Sequence, residues 1–211
     1  LENRLALSGS DYEQYFIYEL NRARHDPAAY QAASGAEAPL GSVIPRPPLA
    51  INPDLVAAAG YKSNDMASRN YFNHTAPGDP PETPNELVRR FGYDLLDGVQ
   101  IGTNTYVLPE IGNQVESLAG GTTTADAALK GLIESTGHRN HLLGITAHNQ
   151  IAREVGLGYA YDESSYYKHY WTVLAAPSKE PLSFLTGVVF ADGDSDERFD
   201  VSEGIGGVTI T

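Results

Sequence analysis

None of the 211 residues is cysteine. That absence removes disulfides, thiolate nucleophiles and cysteine-ligated zinc together, so a fold built from this chain must be held by packing. Long apolar runs are missing too: nothing approaches the ~20 residues that span a bilayer. The opening Leu1-Glu-Asn-Arg4 lacks a signal-peptide pattern, as expected of a mature or trimmed chain. Basic residues are scarce, 14 Lys and Arg against 27 Asp and Glu, and they form no run. A phosphate backbone or an anionic membrane surface would be repelled, which argues against nucleic acid as a partner. There is no Gly-x-Ser-x-Gly elbow, and Ser135 stands too close in sequence to His138 to imply triad geometry, so a Ser/His hydrolase is disfavoured.

What remains fits a globular protein. Apolar residues make up 41% of the chain, and thirteen tyrosines, Trp171 and the aliphatics must supply most of the burial. The length suits one substantial domain plus an appendage. Ser10-x-x-Glu13 reads as a capping box for a first helix ending near Arg24 or His25. Asp26-Pro27 and Asn52-Pro53 each pair an N-cap with proline at the first helical position, and Thr83-Pro-Asn-Glu86 is a second capping box with Gly92 as the stop. From Asp94 to Gly121 the pattern is glycine-rich and irregular, with Glu116 near a strand end. Thr124 can cap a helix reaching Ser135, and His138 begins another turn. Residues 154–162 and 166–176, separated by Glu163-Ser-Ser165, read as a β-hairpin whose two faces are both apolar. Helices therefore have to cover both sides, giving an α+β fold. Pro177 to Pro181 reads as a linker, which divides the chain into a main domain over 1–176, a linker over 177–183 and a β-hairpin carrying an Asp-rich loop over 184–211.

Two histidines and a glutamate, His74, His138 and Glu116, lie on separate segments that folding could bring together. Two imidazoles and a carboxylate converging in a cleft would make a three-ligand divalent-metal site, zinc or another ion, with an open position. Alternatively Glu116 could orient one imidazole by accepting its N–H proton, or the group could be a hydrogen-bonded polar cluster without metal or turnover. His25 suits a helix C-terminus, His148 a loop, and His169, among strand aromatics, a satisfied core or interface position.

Around these residues, Leu20-Asn-Arg-Ala-Arg24, Asn52-Pro-Asp-Leu55, Asp65-Met66, Tyr71-Phe-Asn-His74, Phe91-Gly-Tyr93, Ser135-Thr-Gly-His-Arg139 and Val155-Gly-Leu-Gly158 follow in a recognisable order. From about Asp11 to Ala176 the chain resembles the bacterial branch of the CAP superfamily, the SCP-like extracellular domains related to pathogenesis-related and venom-allergen proteins. The resemblance implies a three-layer α-β-α sandwich, an extracellular or cell-surface setting, and a cleft tetrad of two histidines and two glutamates. His74, Glu116 and His138 match three of its positions. The fourth departs, because Leu132-Ile-Glu-Ser135 puts Ser135 where many relatives carry glutamate, and Ser117 replaces the asparagine that usually follows Glu116. Glu134 could substitute only if its helix turned by ~100°. His141, where relatives more often have asparagine, reads as exposed or capping. Asn21 and Arg24 are family-typical, and their expected role is to tie the first helix to a neighbouring loop. Relatives in eukaryotes are usually disulfide-bonded, whereas this chain cannot be.

Near the end, Asp192, Asp194, Asp196, Asp200 and Glu203 occupy positions 1, 3, 5, 9 and 12 of a twelve-residue loop, the order of an EF-hand calcium site, with the backbone carbonyl of Arg198 at position 7. Glu197 stands at position 6, where glycine is usual, and strand-like sequence flanks the loop. Those flanks resemble the opening of the calcium-binding B-type repeats of bacterial surface adhesins, either cut short or docked on the main domain. A structural calcium is the expectation. The combined reading is a secreted or surface-attached module that binds an extracellular ligand such as a peptide, a lipid or a cell-wall component. The rival is a metal-dependent, peptidase-like hydrolase using His74, His138 and Glu116.

Overall fold

The computed structural model describes residues 11–179, 183–206 and 208. Helix α1 (Asp11–His25) buries Phe16, Leu20 and Ala23, three and four residues apart, so one stripe faces inward. Ser10, expected to open its capping box, lies outside the described residues. Asp26 caps α2 (Pro27–Ser34) by accepting from Ala29 N, and Gly35 ends it at φ 62, a left-handed stop. After the two-residue strand β1 (Ala50–Ile51), the Asn52 side chain accepts from Asp54 N and Leu55 N to start α3 (Pro53–Ser68). The capping box at Thr83 opens α4 (Pro84–Arg90). These starts follow the sequence because a cap is a local device.

The 94–121 stretch is less irregular than its glycines suggest. It contains a small antiparallel pair, β2 (Gly98–Ile101) and β3 (Asn104–Val107), turning at Gly102, whose φ is 61. Then come β4 (Glu116–Gly120), α5 (Ala125–Glu134), α6 (Thr136–Leu142), a short 3-10 turn over 149–151, β5 (Glu154–Tyr161) and β6 (His169–Ala176).

The main sheet runs β1-β5-β6-β4, with β1 parallel to β5 and the other neighbours antiparallel. On one face Trp171 and Val173 pack with Phe16, Leu20, Leu129, Ile133 and Leu142 from α1, α5 and α6. On the other, Leu174 and Ala176 pack with Leu55, Ala58, Leu87 and Val88 from α3 and α4. This is the three-layer α+β arrangement. Each large apolar side chain so buried stabilises the fold by about 1.5–3 kcal/mol, the packing that a cysteine-free chain depends on.

Two glycines let α3 lie directly on β5. A Cβ at Gly156 would sit 2.1 Å from Leu55 C, and one at Gly158 2.2 Å from Ala59 C. Asn21 and Arg24 tie α1 to the loop before β1. Asn21 Nδ2 donates to Leu49 O and its Oδ1 accepts from Leu49 N, while Arg24 Nε donates to Pro47 O.

Beyond β6, Leu96 N donates to Pro177 O and Lys179 N to Asp94 O, so the segment read as a linker is fastened to the loop after α4. In the C-terminal segment the described residues of the two arms meet at one antiparallel bridge, Phe190 to Gly204, flanked by Ala191 N donating to Glu203 O and Ile205 N to Val189 O. Residues 180–182, 207 and 209–211 of the expected linker and hairpin lie outside the described residues. Phe199 is 1% exposed, with its ring 5.6 Å from that of Tyr18 and 6.4 Å from that of Tyr15, so the acidic loop is docked on α1.

Candidate functional site

His74 follows α3, Glu116 opens β4 and His138 lies in the first turn of α6; three elements deliver one residue each. The Glu116 side chain is fully enclosed, whereas that of His74 is 42% exposed. His74 Nδ1 and Glu116 Oε1 are 2.8 Å apart. A carboxylate only accepts, so Nδ1 carries the proton and Nε2 keeps its lone pair for solvent, an ion or a ligand. The His138 ring centre is 6.5 Å from that of His74. Burial and the neighbouring His74 both lower the pKa of His138, favouring a neutral imidazole.

Glu116 is pulled two ways. Burial raises its pKa, and the bond from His74 together with the charges of Lys62 and His74 works against that rise. Its second oxygen, Oε2, is buried without a hydrogen-bond partner among the described residues. Asn113 fixes the strand entry, its Oδ1 accepting from Glu116 N at 2.9 Å.

Only part of this group is open to a divalent ion. Metal–nitrogen bonds of about 2.0–2.1 Å put the 6.5 Å ring separation at the outer edge of what one ion spans. His74 Nε2 and His138 are the available donors, and Glu116, engaged with Nδ1, stands behind His74 as an orienting carboxylate. Among the described residues, the set of three or more carboxylates or imidazoles with one ligand atom each within 4.8 Å of the others is Asp192, Asp194 and Asp196, not the cleft group. Of the two roles open to Glu116 from sequence, the geometry therefore supports orientation.

Glu134 does not fill the missing fourth position. It is exposed, and its Oε1 accepts from Glu37 N at 2.6 Å, away from the histidines. Ser135 is the junction between α5 and α6.

His141 corrects an expectation. It is not exposed or capping but buried: Nε2 donates to Ala175 O at 3.0 Å, and Nδ1 accepts from the Ser117 hydroxyl at 2.8 Å. The serine that replaces the usual asparagine is thus matched to this histidine. Burial drops the His141 pKa to about 4. The other histidines lie where expected: His25 is exposed at the end of α1, His148 is exposed beside the 3-10 turn, and His169 lies 2.7 Å from the Tyr159 hydroxyl.

Lys62 was not foreseen. It is 1% exposed on α3, and its Nζ donates to His74 O at 2.7 Å and lies 3.3 Å from the Tyr71 hydroxyl, which also donates to Asp65. This network grips the 71–74 segment from beneath. The signal was available, for Lys62 occupies the inward stripe between Ala58 and Met66. A cavity of about 300 Å³ lies elsewhere, bordered by Tyr106, Gln114, His141, His148 and Asn149 and by none of the three cleft residues.

In the acidic loop, Glu203 holds both ends, its Oε1 accepting from Gly193 N and its Oε2 from Asp200 N. Asp192 accepts from Asp196 N and Glu197 N. Glu197 adopts φ 63, the left-handed turn for which glycine is usual.

Comparison with known proteins agrees with this architecture. The family model described as CAP, cysteine-rich secretory protein family, matches residues 18–175. The chain is 28% identical over 112 residues to the uncharacterized protein YkwD of Bacillus subtilis (strain 168), an alignment that covers 53% of this chain and 35% of that protein. The chain thus spans about a third of the length of that curated relative. An outer surface protein from Borrelia burgdorferi has a similar fold, with a TM-score of 0.51 at 14% identity over 79% of this chain and 92% of that one. An extracellular protein containing a SCP domain from Bacillus anthracis str. Ames is similar at a TM-score of 0.47 and 20% identity, over 78% of this chain and 41% of that one. No helix among the described residues is long and apolar enough to cross a membrane.

Proposed function

The chain belongs to the CAP family of cysteine-rich secretory proteins, although it has no cysteine, and from that premise we propose that it is an extracellular or cell-surface binding module. Its ligand, a peptide, a lipid or a cell-wall component, is held at the cleft of His74, Glu116 and His138. The observation that carries this reading is an enclosed carboxylate fixing the tautomer of a half-exposed histidine beside a second, neutral imidazole. Such an arrangement presents one prepared lone pair to an incoming group, and the motifs of a serine or cysteine nucleophile are missing from the chain.

A second reading is favoured by the open Nε2 of His74 beside the neutral ring of His138. A divalent ion held by His74 Nε2 and His138 would supply an activated water, making the cleft a hydrolase. In that case the chain's own contribution is to orient His74 through Glu116 and to keep His138 neutral. Titration with cobalt, with zinc in competition, and turnover of peptide and ester panels separate the two readings. Binding of peptidoglycan fragments or lipid vesicles without turnover, weakened by His74→Ala, supports the module. Metal-dependent turnover abolished by His74→Ala and by Glu116→Gln would establish the hydrolase instead.

The acidic loop is assigned to structural calcium. Asp192, Asp194, Asp196, Asp200 and Glu203 offer five carboxylates, with the Arg198 carbonyl as a sixth oxygen donor, and Glu197 already takes up the turn such a loop requires. Calcium titration calorimetry tests the assignment; binding unaffected by Asp194→Ala would reject it.

A further inference from the structure

Arg24, Arg46 and Arg153 all reach the backbone of the 142–152 segment. Arg24 arrives from α1, its Nη1 donating to Leu142 O at 2.6 Å. Arg46, from the loop before β1, donates through Nε to Gly144 O at 3.0 Å. Arg153, just before β5, donates through Nη1 to Gln150 O at 2.7 Å and Ala152 O at 2.9 Å. Gly144 lies close to Arg24 and to the residue whose carbonyl Arg153 holds, since a Cβ there would lie 3.5 Å from Arg24 Nη1 and 3.3 Å from Gln150 Cα.

No Asp or Glu forms an ion pair with any of the three among the described residues. That is unexpected in a chain whose net charge is −13. Backbone carbonyls satisfy some of the N–H groups but leave the charges unneutralised. Arg24 is 1% exposed, and its Nη2 has no hydrogen-bond partner among the described residues. Burial, then the like charges of Arg153 and Arg46, brings its pKa down to about 10, and no carboxylate offsets them. Buried charge of this kind is costly without an opposite partner.

We propose that Arg24, Arg46 and Arg153 form a binding site for a small oxyanion group, a carboxylate or a tetrahedral phosphate or sulfate. Arg46 is half-buried and Arg153 exposed, and the Nη2 groups of both are unengaged among the described residues, so their planar forks are available to grip two oxygens. Arg24 supplies fixed positive charge beneath them. The overall negative charge selects a small anion over an anionic polymer or membrane, which the rest of the surface repels. The site shares no residue with the cleft and stands or falls without it.

The test is a titration of the whole chain with sodium sulfate, sodium phosphate and sodium acetate against sodium chloride at matched ionic strength, followed by amide and arginine Nε–H NMR. Saturable shifts of the Gly144 amide and the Arg46 Nε–H are expected. Saturation by sulfate or phosphate alone identifies a tetrahedral group, and saturation by acetate a carboxylate. The R46Q/R153Q variant, altered away from the core, should fold with an unchanged amide spectrum elsewhere and bind about tenfold more weakly or worse. Shifts that match those of chloride, or that persist undiminished in R46Q/R153Q, would overturn the proposal.

Discussion

His141 and Glu116 are both buried, yet they respond to acid in opposite senses. The folded-state pKa of His141 is depressed to about 4, so the folded protein excludes a proton that the unfolded chain accepts near 6.5. Stability from this residue is intact above about 6.5 and is lost as pH falls toward about 4, by up to roughly 3 kcal/mol. Urea denaturation at a series of pH values should show that loss, and His141→Gln should flatten it. Burial raises the folded pKa of Glu116, so its carboxylate costs stability as pH rises from the ordinary carboxylate range through that raised value. Glu116→Gln should therefore be at least as stable as the parent at neutral pH. On the hydrolase reading the same variant should bind cobalt about 10- to 100-fold more weakly, because the acceptor facing His74 Nδ1 loses the negative charge that makes the ring a stronger ligand. Calorimetric titration measures the second effect and thermal melting the first. At this scale His74, Glu116 and His138 were legible because each sits in a short recognisable motif. His141 was not, since α6 has seven residues and too few turns to reveal an inward face. Lys62 was hidden by its type: lysine is so seldom buried that its place on an apolar stripe carries little weight.

Among the elements, the contact of α3 with β5 is the least forgiving. Alanine at Gly156 or Gly158 drives a methyl into helix backbone rather than into a side chain that could turn aside. Each substitution should cost about 3 kcal/mol or more, at or beyond the upper end of overpacking effects. Denaturant unfolding would register this as a lower midpoint with an unchanged slope. By contrast, alanine at Gly131, where a Cβ meets nothing within 4 Å inside α5, should stabilise by about 0.5–1 kcal/mol. Helix starts at Pro27, Pro53 and Pro84 could be read directly, for a cap and its proline are neighbours in sequence. The β2–β3 pair could not: its strands are four residues long and mostly outside the core, so burial left no alternation to detect.

For the molecule as a whole, the layers were readable because both faces of β6 are apolar, which leaves room only for helices on either side. What joins the acidic loop to the main body was not, because Phe199 acts through a distant aromatic pair on α1. Calcium should raise the melting temperature and slow proteolysis within 183–206, with magnesium less effective, and Asp194→Ala should abolish both changes. Phe199→Ala should retain calcium binding while making that segment easier to cleave. Survival of full protease resistance in Phe199→Ala would show that the ring does not anchor the loop.

Adjacent residues at the start of β4 face opposite worlds: Glu116 turns toward the solvent-reached imidazole, and Ser117 toward the sealed one. A shift of a single residue along β6 would exchange them, thrusting an acid among the aliphatics and leaving the open histidine with only a hydroxyl. Misthreading at that edge cannot yield a slightly impaired cleft; it yields none, so an intact pairing at residue 74 reports that β4 has joined β6 in frame.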